Sequence, residues 1–224
     1  MVGIDSTDRL IAALGADMAP VARLTPPTLR ALGWLAMVGV IGVGLATFAD
    51  VNGMIRRLAA APDLWLAAGG SLLTAILAAI AAFQLSLPDR KPAWALLPLP
   101  AAALWLGASG LGCLRSWVAP ETQPIPTMEP VSCLMLILGL SVPLSVLLIV
   151  MLRRGYSLRP NLTAVVAGVA CAAAAATLLN FVHSYDAAAT DLAAHAVAVA
   201  IVIVVNRIFG GSILSGKANF PAAA

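Results

Sequence analysis

Residues 162–182 read LTAVVAGVACAAAAATLLNFV, a long run without one charged side chain. The hydrocarbon core of a bilayer is about 30 Å thick, and an α-helix needs about 20 mainly apolar residues to cross it. This stretch therefore predicts a transmembrane helix. Its small side chains, above all Ala172–Ala176, favour close packing against neighbouring helices.

Five other stretches of similar length and character surround this one. Of the whole chain, 61% is hydrophobic and 10% is charged, whereas a soluble domain carries about 25% charged residues. The sequence thus predicts an all-α, polytopic membrane helical bundle of six transmembrane helices, which together occupy residues 30–209 of the chain. The six predicted spans are 30–48, 64–87, 93–111, 133–152, 162–182 and 191–209.

The basic residues between the spans predict the orientation of the bundle. If the N-terminus is cytoplasmic, ten of the 13 Lys and Arg residues lie on the cytoplasmic side, and only Arg56, Arg57 and Arg115 lie on the other. This bias follows the positive-inside rule. We therefore expect both termini in the cytoplasm, with tails at 1–29 and 210–224.

The N-terminal tail has an apolar pattern at helical spacing. Ser6 or Thr7 can cap a short helix, which Gly15 can end. The apolar side chains of the tail are candidates for partner binding, although an unstructured leader is the alternative. They are Leu10, Ile11, Leu14, Met18, Val21 and Leu24.

Two cysteines bracket the longest outer connection, which is rich in proline. Cys113 and Cys133 each lie where a predicted span meets the outer membrane surface. A structural disulfide is the simpler interpretation. The sharper one adds His183 from the last outer loop, because sulfur and imidazole ligands suit soft metal ions such as copper or zinc. Cys171, deep in the fifth span, reads as a packing residue.

Several classes of function find no support in the sequence. No Asp, Glu, Lys or Arg lies near the middle of a span, which disfavours a transporter. No nucleophile-elbow, P-loop, zinc-protease or nucleotide-loop motif is present, so an enzyme is not expected. The charges form no basic patch for direct nucleic-acid binding.

The tail carries the pattern D-x-L-I-A-A-L-x-x-D-x-x-P-V-x-R-L-x-P-P-x-x-R from Asp8 to Arg30. This pattern resembles the NrsF-type family of bacterial anti-sigma factors. The resemblance extends along nearly the whole chain through short motifs in the same order. They are AAFQLSLP at 81–88, LPL at 97–99, GCLR at 112–115, the cysteine at 133, LRRG at 152–155, RP at 159–160 and NxxH at 180–183.

The resemblance implies a multi-pass protein of the bacterial inner membrane whose cytoplasmic tail sequesters an extracytoplasmic-function sigma factor. It also implies release of that partner on heavy-metal or oxidative stress, sensed near Cys113 and Cys133. The metal would then be a signal, and no obligatory cofactor is expected. The alternatives are a small-molecule or metal transporter and a structural subunit of a membrane complex. The sequence leaves the oligomeric state open.

Overall fold

In a computed structural model, the chain is described at residues 4–16, 24–60, 62–118, 130–181 and 189–215. All the regular secondary structure in these ranges is helical. Short turns and connections join the helices. The elements are α1 (Ile4–Ala16), α2 (Pro27–Ala46), α3 (Val51–Ala60), α4 (Pro62–Leu85), a 3₁₀-helix (Pro92–Leu96), α5 (Leu99–Val118), α6 (Pro130–Leu152), α7 (Pro160–Leu179), α8 (Ala189–Val205), a π-helical segment (Asn206–Gly210) and α9 (Gly211–Ser215).

Six of these helical stretches are long and apolar enough to cross a membrane, as the sequence predicts. The all-α, six-span fold is therefore confirmed, while the side of the membrane on which each end lies stays a prediction. The six stretches are Pro27–Ala46, Asp63–Leu85, Pro92–Leu111, Leu134–Leu152, Pro160–Leu179 and Ala196–Ser215.

Two details differ from the sequence-based boundaries. The sixth span was predicted to end at residue 209, but the chain stays helical to Ser215 because the π-helical segment joins α8 to α9 without a break. The first connection, between the predicted spans 30–48 and 64–87, contains the short helix α3. Asp50 precedes this helix, and its side chain accepts a hydrogen bond from the Gly53 backbone N–H at 2.9 Å, which stabilises the first turn.

Helix α7 lies at the centre of the bundle. It packs mainly against α4, and also against α6 and α8. Its small residues let these neighbours approach closely: a Cβ atom on Gly168 would lie 3.0 Å from the Ile203 Cα of α8. A hydrogen bond of 2.9 Å between the hydroxyls of Ser71 and Thr177 joins α4 to α7 within the bundle. The small side chains thus allow close helix packing in the part of the bundle that holds most of the buried core.

The start of the first span and the end of the sixth lie at the same end of the bundle. Arg30, in the first turn of α2, donates a hydrogen bond to the Met151 carbonyl in the last turn of α6. Gly210, near the end of the sixth span, packs against Ile149 of the same α6 turns. We call this the tail end of the bundle, because the N-terminal segment joins it.

Candidate partner-binding helix and its attachment to the bundle

Helix α1 displays its apolar face to the outside. Leu10, Ile11 and Leu14 are 59%, 62% and 62% exposed. Each residue of a helix turns about 100°, so these three side chains lie together on one side, while Ala12 lies on the other. The helix predicted from the sequence is present, and it begins at Ile4, ahead of the expected caps.

The connection from α1 to the bundle ends at a proline-initiated helix. Leu24 is 46% exposed, and Pro26 stands at the N-cap position before Pro27, the first residue of α2. Proline is tolerated there because the first helical N–H groups have no partner within the helix. The helix of the first span therefore begins at Pro27, three residues before the predicted start of the span at residue 30.

Arg30 fixes this beginning of α2 to the bundle. Its side chain is only 7% exposed. Its Nη2 donates to the carbonyl of Met151, one of the final α6 carbonyls that lack a partner within the helix. The guanidinium carbon also lies 5.0 Å from the ring centroid of Phe83 on α4, a cation–π distance. One side chain therefore holds together the tail ends of α2, α4 and α6.

Trp34, one turn after Arg30, makes a second link between the same helices. It is fully buried, and its Nε1 donates to the Leu144 carbonyl at 3.2 Å. Leu144 follows Pro143, the proline inside α6. A proline in a helix lacks an N–H group and clashes with the preceding turn, so α6 has a weak point at this level. The Trp34 indole therefore contacts α6 directly after its internal proline.

Hydrogen bonds also fix the connection between α6 and α7 at the tail end. The Ser157 hydroxyl donates to the Leu85 carbonyl at 3.1 Å and lies 2.8 Å from the Thr163 hydroxyl. Thr163 reaches the same carbonyl at 3.3 Å. The end of α4 and the start of α7 are thereby joined. Together with the Arg30 contacts, these hydrogen bonds connect α2, α4, α6 and α7 at the tail end of the bundle.

The predicted outer residues are located only in part. Cys113 lies in α5 and Cys133 in the first turn of α6, and their side chains fall outside the described part of the chain. His183, Met18 and Val21 also lie outside the described residues. Among the residues that are described, no group of three or more His, Cys, Asp or Glu side chains is arranged to hold a metal ion. The disulfide and metal interpretations of the pair both remain predictions.

Helix α6 connects the end of the bundle that contains Cys133 with the tail end, where Arg30 is bound. Its first turn contains Cys133, and its last turn contains Met151, the acceptor for Arg30. At 1.5 Å per residue, these two positions are about 27 Å apart along one helix. A movement of α6 caused at the cysteine end would therefore act on the contact that fixes α2 and the tail.

Three residues of interest were not singled out by the sequence. Arg30 was counted among the cytoplasmic charges, and its burial depends on a carbonyl 121 positions away. Ser141 and Asn206 are buried in the spans, each with a side-chain oxygen that finds no hydrogen-bond partner within the described structure. A search for charged residues in the spans misses such uncharged groups, although a lone Asn in an apolar run is a readable signal.

Comparison with known families gives one result. The family model described as "NrsF: Negative regulator of sigma F" matches residues 14–215, which is most of the chain. The match includes Leu14 and the segment that joins α1 to the bundle, and it begins after Leu10 and Ile11. No curated protein and no solved structure matches the chain.

Proposed function

The chain belongs to the NrsF family of negative regulators of a sigma factor, and we propose that it is a membrane-bound anti-sigma factor for a sigma factor of the extracytoplasmic-function class. In this proposal the N-terminal segment is the binding element, and the six-span bundle is the membrane anchor and the sensor. Sequestration at the membrane keeps the sigma factor from RNA polymerase.

The observation that carries this proposal is the uncovered apolar face of α1. Leu10, Ile11 and Leu14 are each about 60% exposed, and residues 7–16 of the helix are all exposed. Burial of one leucine or isoleucine side chain is worth roughly 1.5–3 kcal/mol. A short amphipathic helix that lays this face into a groove of a partner is a common mode of peptide recognition. Leu24, with Met18 and Val21, would extend the contact towards α2.

The proposed signal acts at the opposite end of the bundle. Cys113 and Cys133 close a disulfide on oxidation, or hold a soft metal ion such as copper or zinc together with His183. Either event changes how α5 and α6 meet. Because α6 also accepts the Arg30 hydrogen bond, a shift of α6 moves the beginning of α2. This movement lowers the affinity of the N-terminal tail for the sigma factor. A tenfold weakening requires only about 1.4 kcal/mol.

The proposed location is the bacterial inner membrane, with both ends of the chain in the cytoplasm. Support comes from the bias of Lys and Arg between the spans and from the position of both ends of the bundle at the tail end. Topology reporters fused after Arg90, Pro126 and Lys217 should read inside, outside and inside. An outside signal after Lys217 would contradict the proposed orientation.

The function is tested by removal of the binding element alone. Full-length protein and a variant that lacks residues 1–16 are purified from bacterial membranes, and co-purified sigma factors are identified. We expect a sigma factor with the full chain and none with the variant, at equal amounts of membrane protein. In cells, the same deletion should raise transcription from promoters that depend on that sigma factor. Equal recovery of the sigma factor with both proteins would refute the proposal.

A further inference from the structure

A groove runs along the outside of the bundle between α6 and the sixth span, and its volume is about 260 Å³. Two rows of apolar side chains, each between 38% and 64% exposed, form its walls. Residues four apart in a helix lie on one face, so each row follows the groove along its length. The rows are Val142, Val146 and Val150 on α6, and Ile201, Val205, Phe209 and Ile213 on the sixth span.

The accessible surface of the groove is apolar except at one end. Ser141 and Asn206 also belong to its lining, but they are 1% and 4% exposed and lie beneath the apolar rows. Of the described residues that line the groove, only Arg153 is charged, and its side chain is exposed. A ligand in the groove therefore contacts hydrocarbon along its length and a cation at the tail end of the bundle.

The charge of Arg153 is not neutralised by the protein. Arg153 directly follows α6, and within the described parts of the chain no carboxylate forms an ion pair with it. The connection from α6 to α7 adds Arg154 and Arg159 and contains no acidic residue. Uncompensated positive charge of this kind attracts anions to the tail end of the bundle.

The length of the groove matches an acyl chain that enters from the membrane surface. Arg153 follows the last residue of the fourth candidate span, Leu134–Leu152, which places its guanidinium near the lipid head groups. Val142 lies about 16 Å from Arg153 along the helix axis. The acyl chains of one leaflet fill half of a hydrocarbon core about 30 Å thick, which is about 15 Å.

The position of Arg207 agrees with a membrane surface at this end of the groove. Arg207 is exposed and follows Asn206, whose Nδ2 donates to the Ser145 hydroxyl of α6 at 2.9 Å. It therefore lies about 12 Å from the level of Arg153. A long arginine side chain can reach the membrane surface from a backbone that lies deeper. The head groups are then at the tail end, and the far end of the groove lies in hydrocarbon.

Charge and shape together decide which occupant fits. Two copies of the chain in the same membrane orientation would bring their Arg153 side chains to the same end of a shared interface, where like charges repel. A free anion would leave both apolar rows uncovered. A zwitterionic lipid places its own cation next to its phosphate. An anionic phospholipid matches both the apolar rows and the positive end.

We propose that this groove is a binding site for an anionic phospholipid, whose acyl chain lies between the two apolar rows and whose phosphate binds Arg153. A cavity of about 150 Å³ holds benzene, so about 260 Å³ has room for roughly ten carbon atoms of the chain. This inference goes beyond the proposed function, because lipid binding requires no sigma factor. The bound lipid lies against α6, the helix that accepts the Arg30 hydrogen bond.

The test compares two phospholipids with identical acyl chains and different head-group charge. Full-length protein in detergent is titrated with phosphatidylglycerol or with phosphatidylcholine, and native mass spectrometry measures the dissociation constant of the first bound lipid. We expect a constant about fivefold lower for phosphatidylglycerol, because one basic residue near anionic lipid has an effect of this size. Equal constants for the two lipids would overturn the proposal.

A charge variant assigns this preference to the groove. Arg153→Gln keeps a long polar side chain but removes the cation, so the ratio of the two dissociation constants should fall close to one. Arg159→Gln is the matched control, because Arg159 is an exposed arginine at the same end of the bundle that does not line the groove. Its ratio should equal that of the wild type. A preference that survives in Arg153→Gln would contradict the site.

A second variant fills the groove instead of changing its charge. Val146→Trp places a large ring between the two apolar rows and should weaken the binding of both lipids several-fold. Val40→Trp makes the same substitution on α2, where Val40 is 66% exposed against 59% for Val146, and should leave both constants unchanged. Equal effects of the two variants would show that the acyl chain does not occupy the groove.

Two further outcomes would assign the groove to another occupant and overturn the proposal. Displacement of phosphatidylglycerol by excess glycerol 3-phosphate, which has no acyl chain, would indicate a site for a free anion. A dimer that Val146→Trp dissociates, without a preference for phosphatidylglycerol in the wild type, would indicate a second copy of the chain. If Val146→Trp does not fold, the exposed Arg153→Gln still decides. No sigma factor enters these measurements, so failure here and failure of the proposed function are distinguishable.

Discussion

Helices α1 and α7 are both rich in alanine and leucine, yet α7 is buried in the bundle and α1 is exposed. In α7, residues 170–175 are buried without interruption, among them Ala170 and Cys171 at 0% exposure. In α1, residues 7–16 are all exposed. The chain completes the packing of α7 with its own helices, whereas it leaves the apolar side of α1 uncovered.

The two helices therefore contribute to different properties of the protein: α7 to the stability of the bundle and α1 to the binding of a partner. The contacts of α7 lie within the chain, so changes there should alter the stability of the bundle. The apolar face of α1 contributes little to the fold, so changes there should alter what the protein binds. A similar substitution placed in each helix therefore tests this difference between α1 and α7 directly.

The largest effect is expected from added volume in α7. Ala170→Leu inserts a larger side chain at a fully buried position of the central helix, and overpacking of this kind costs typically about 1–3 kcal/mol, occasionally more. Ala12→Leu adds the same volume to the exposed α1 and should change stability by about 0.5 kcal/mol or less. Thermal unfolding in detergent measures both. Similar melting temperatures for the two variants would show that α7 is not the tightly packed centre.

The second effect concerns the signal rather than the fold. Cys113→Ser and Cys133→Ser should each abolish induction by soft metals or oxidants and leave basal repression in place. Cys171→Ser should do little, because serine replaces a buried thiol of similar size. Reporter output from a sigma-dependent promoter, with and without inducer, gives the result.

A purely structural role of the outer pair predicts a different outcome. Loss of a structural disulfide would lower the amount of protein and raise basal sigma-factor activity in both variants. Normal induction in both would exclude the pair as the sensor.

The third largest effect is expected from substitution of Arg30, which joins the beginning of α2 to the end of α6. Arg30→Met keeps an unbranched side chain but leaves the Met151 carbonyl without this donor, which costs about 1–3 kcal/mol. We expect a lower melting temperature and a smaller induced response. Arg159→Met is the matched control, because Arg159 is exposed at the N-cap of α7 and its side chain makes no capping hydrogen bond there. A full induced response from Arg30→Met would argue against coupling through α6.

The smallest effect is expected at Asp5, in the first turn of α1. A single exposed ion pair contributes about 0–1 kcal/mol. Asp5→Lys should therefore weaken sigma binding less than tenfold, and added salt should reduce the difference further. A loss as large as that of a buried leucine would mean that charge, rather than the apolar face, dominates recognition.

The sequence predicts those features that depend on local composition. Long apolar runs gave the six spans, and the spacing of Leu10, Ile11 and Leu14 gave the helix in the tail. The predicted sixth span ends at residue 209, whereas the helical chain continues to Ser215. Arg207 therefore lies inside the sixth helical stretch, Ala196–Ser215, with an exposed side chain, although no charged residue was expected near the middle of a span.

Features that depend on distant contacts were not predictable in this way. The burial of Arg30 requires the end of α6, and the unpaired oxygen of Asn206 becomes apparent only when its neighbours on α6 and α8 are known. Single-residue patterns contain no information on such pairs.

The role of the apolar face of α1 in binding is tested by the affinity of the sigma factor for the full-length protein in nanodiscs, compared between Leu10→Asp and Ala12→Asp. Both variants add one carboxylate to α1, on its apolar face and on the opposite side respectively. We expect Leu10→Asp to raise the dissociation constant at least tenfold, because a charge replaces an apolar group that is worth roughly 1.5–3 kcal/mol when buried. Ala12→Asp should bind nearly as the wild type does. Equal affinities for the two variants would contradict the claim that the apolar face of α1 holds the sigma factor.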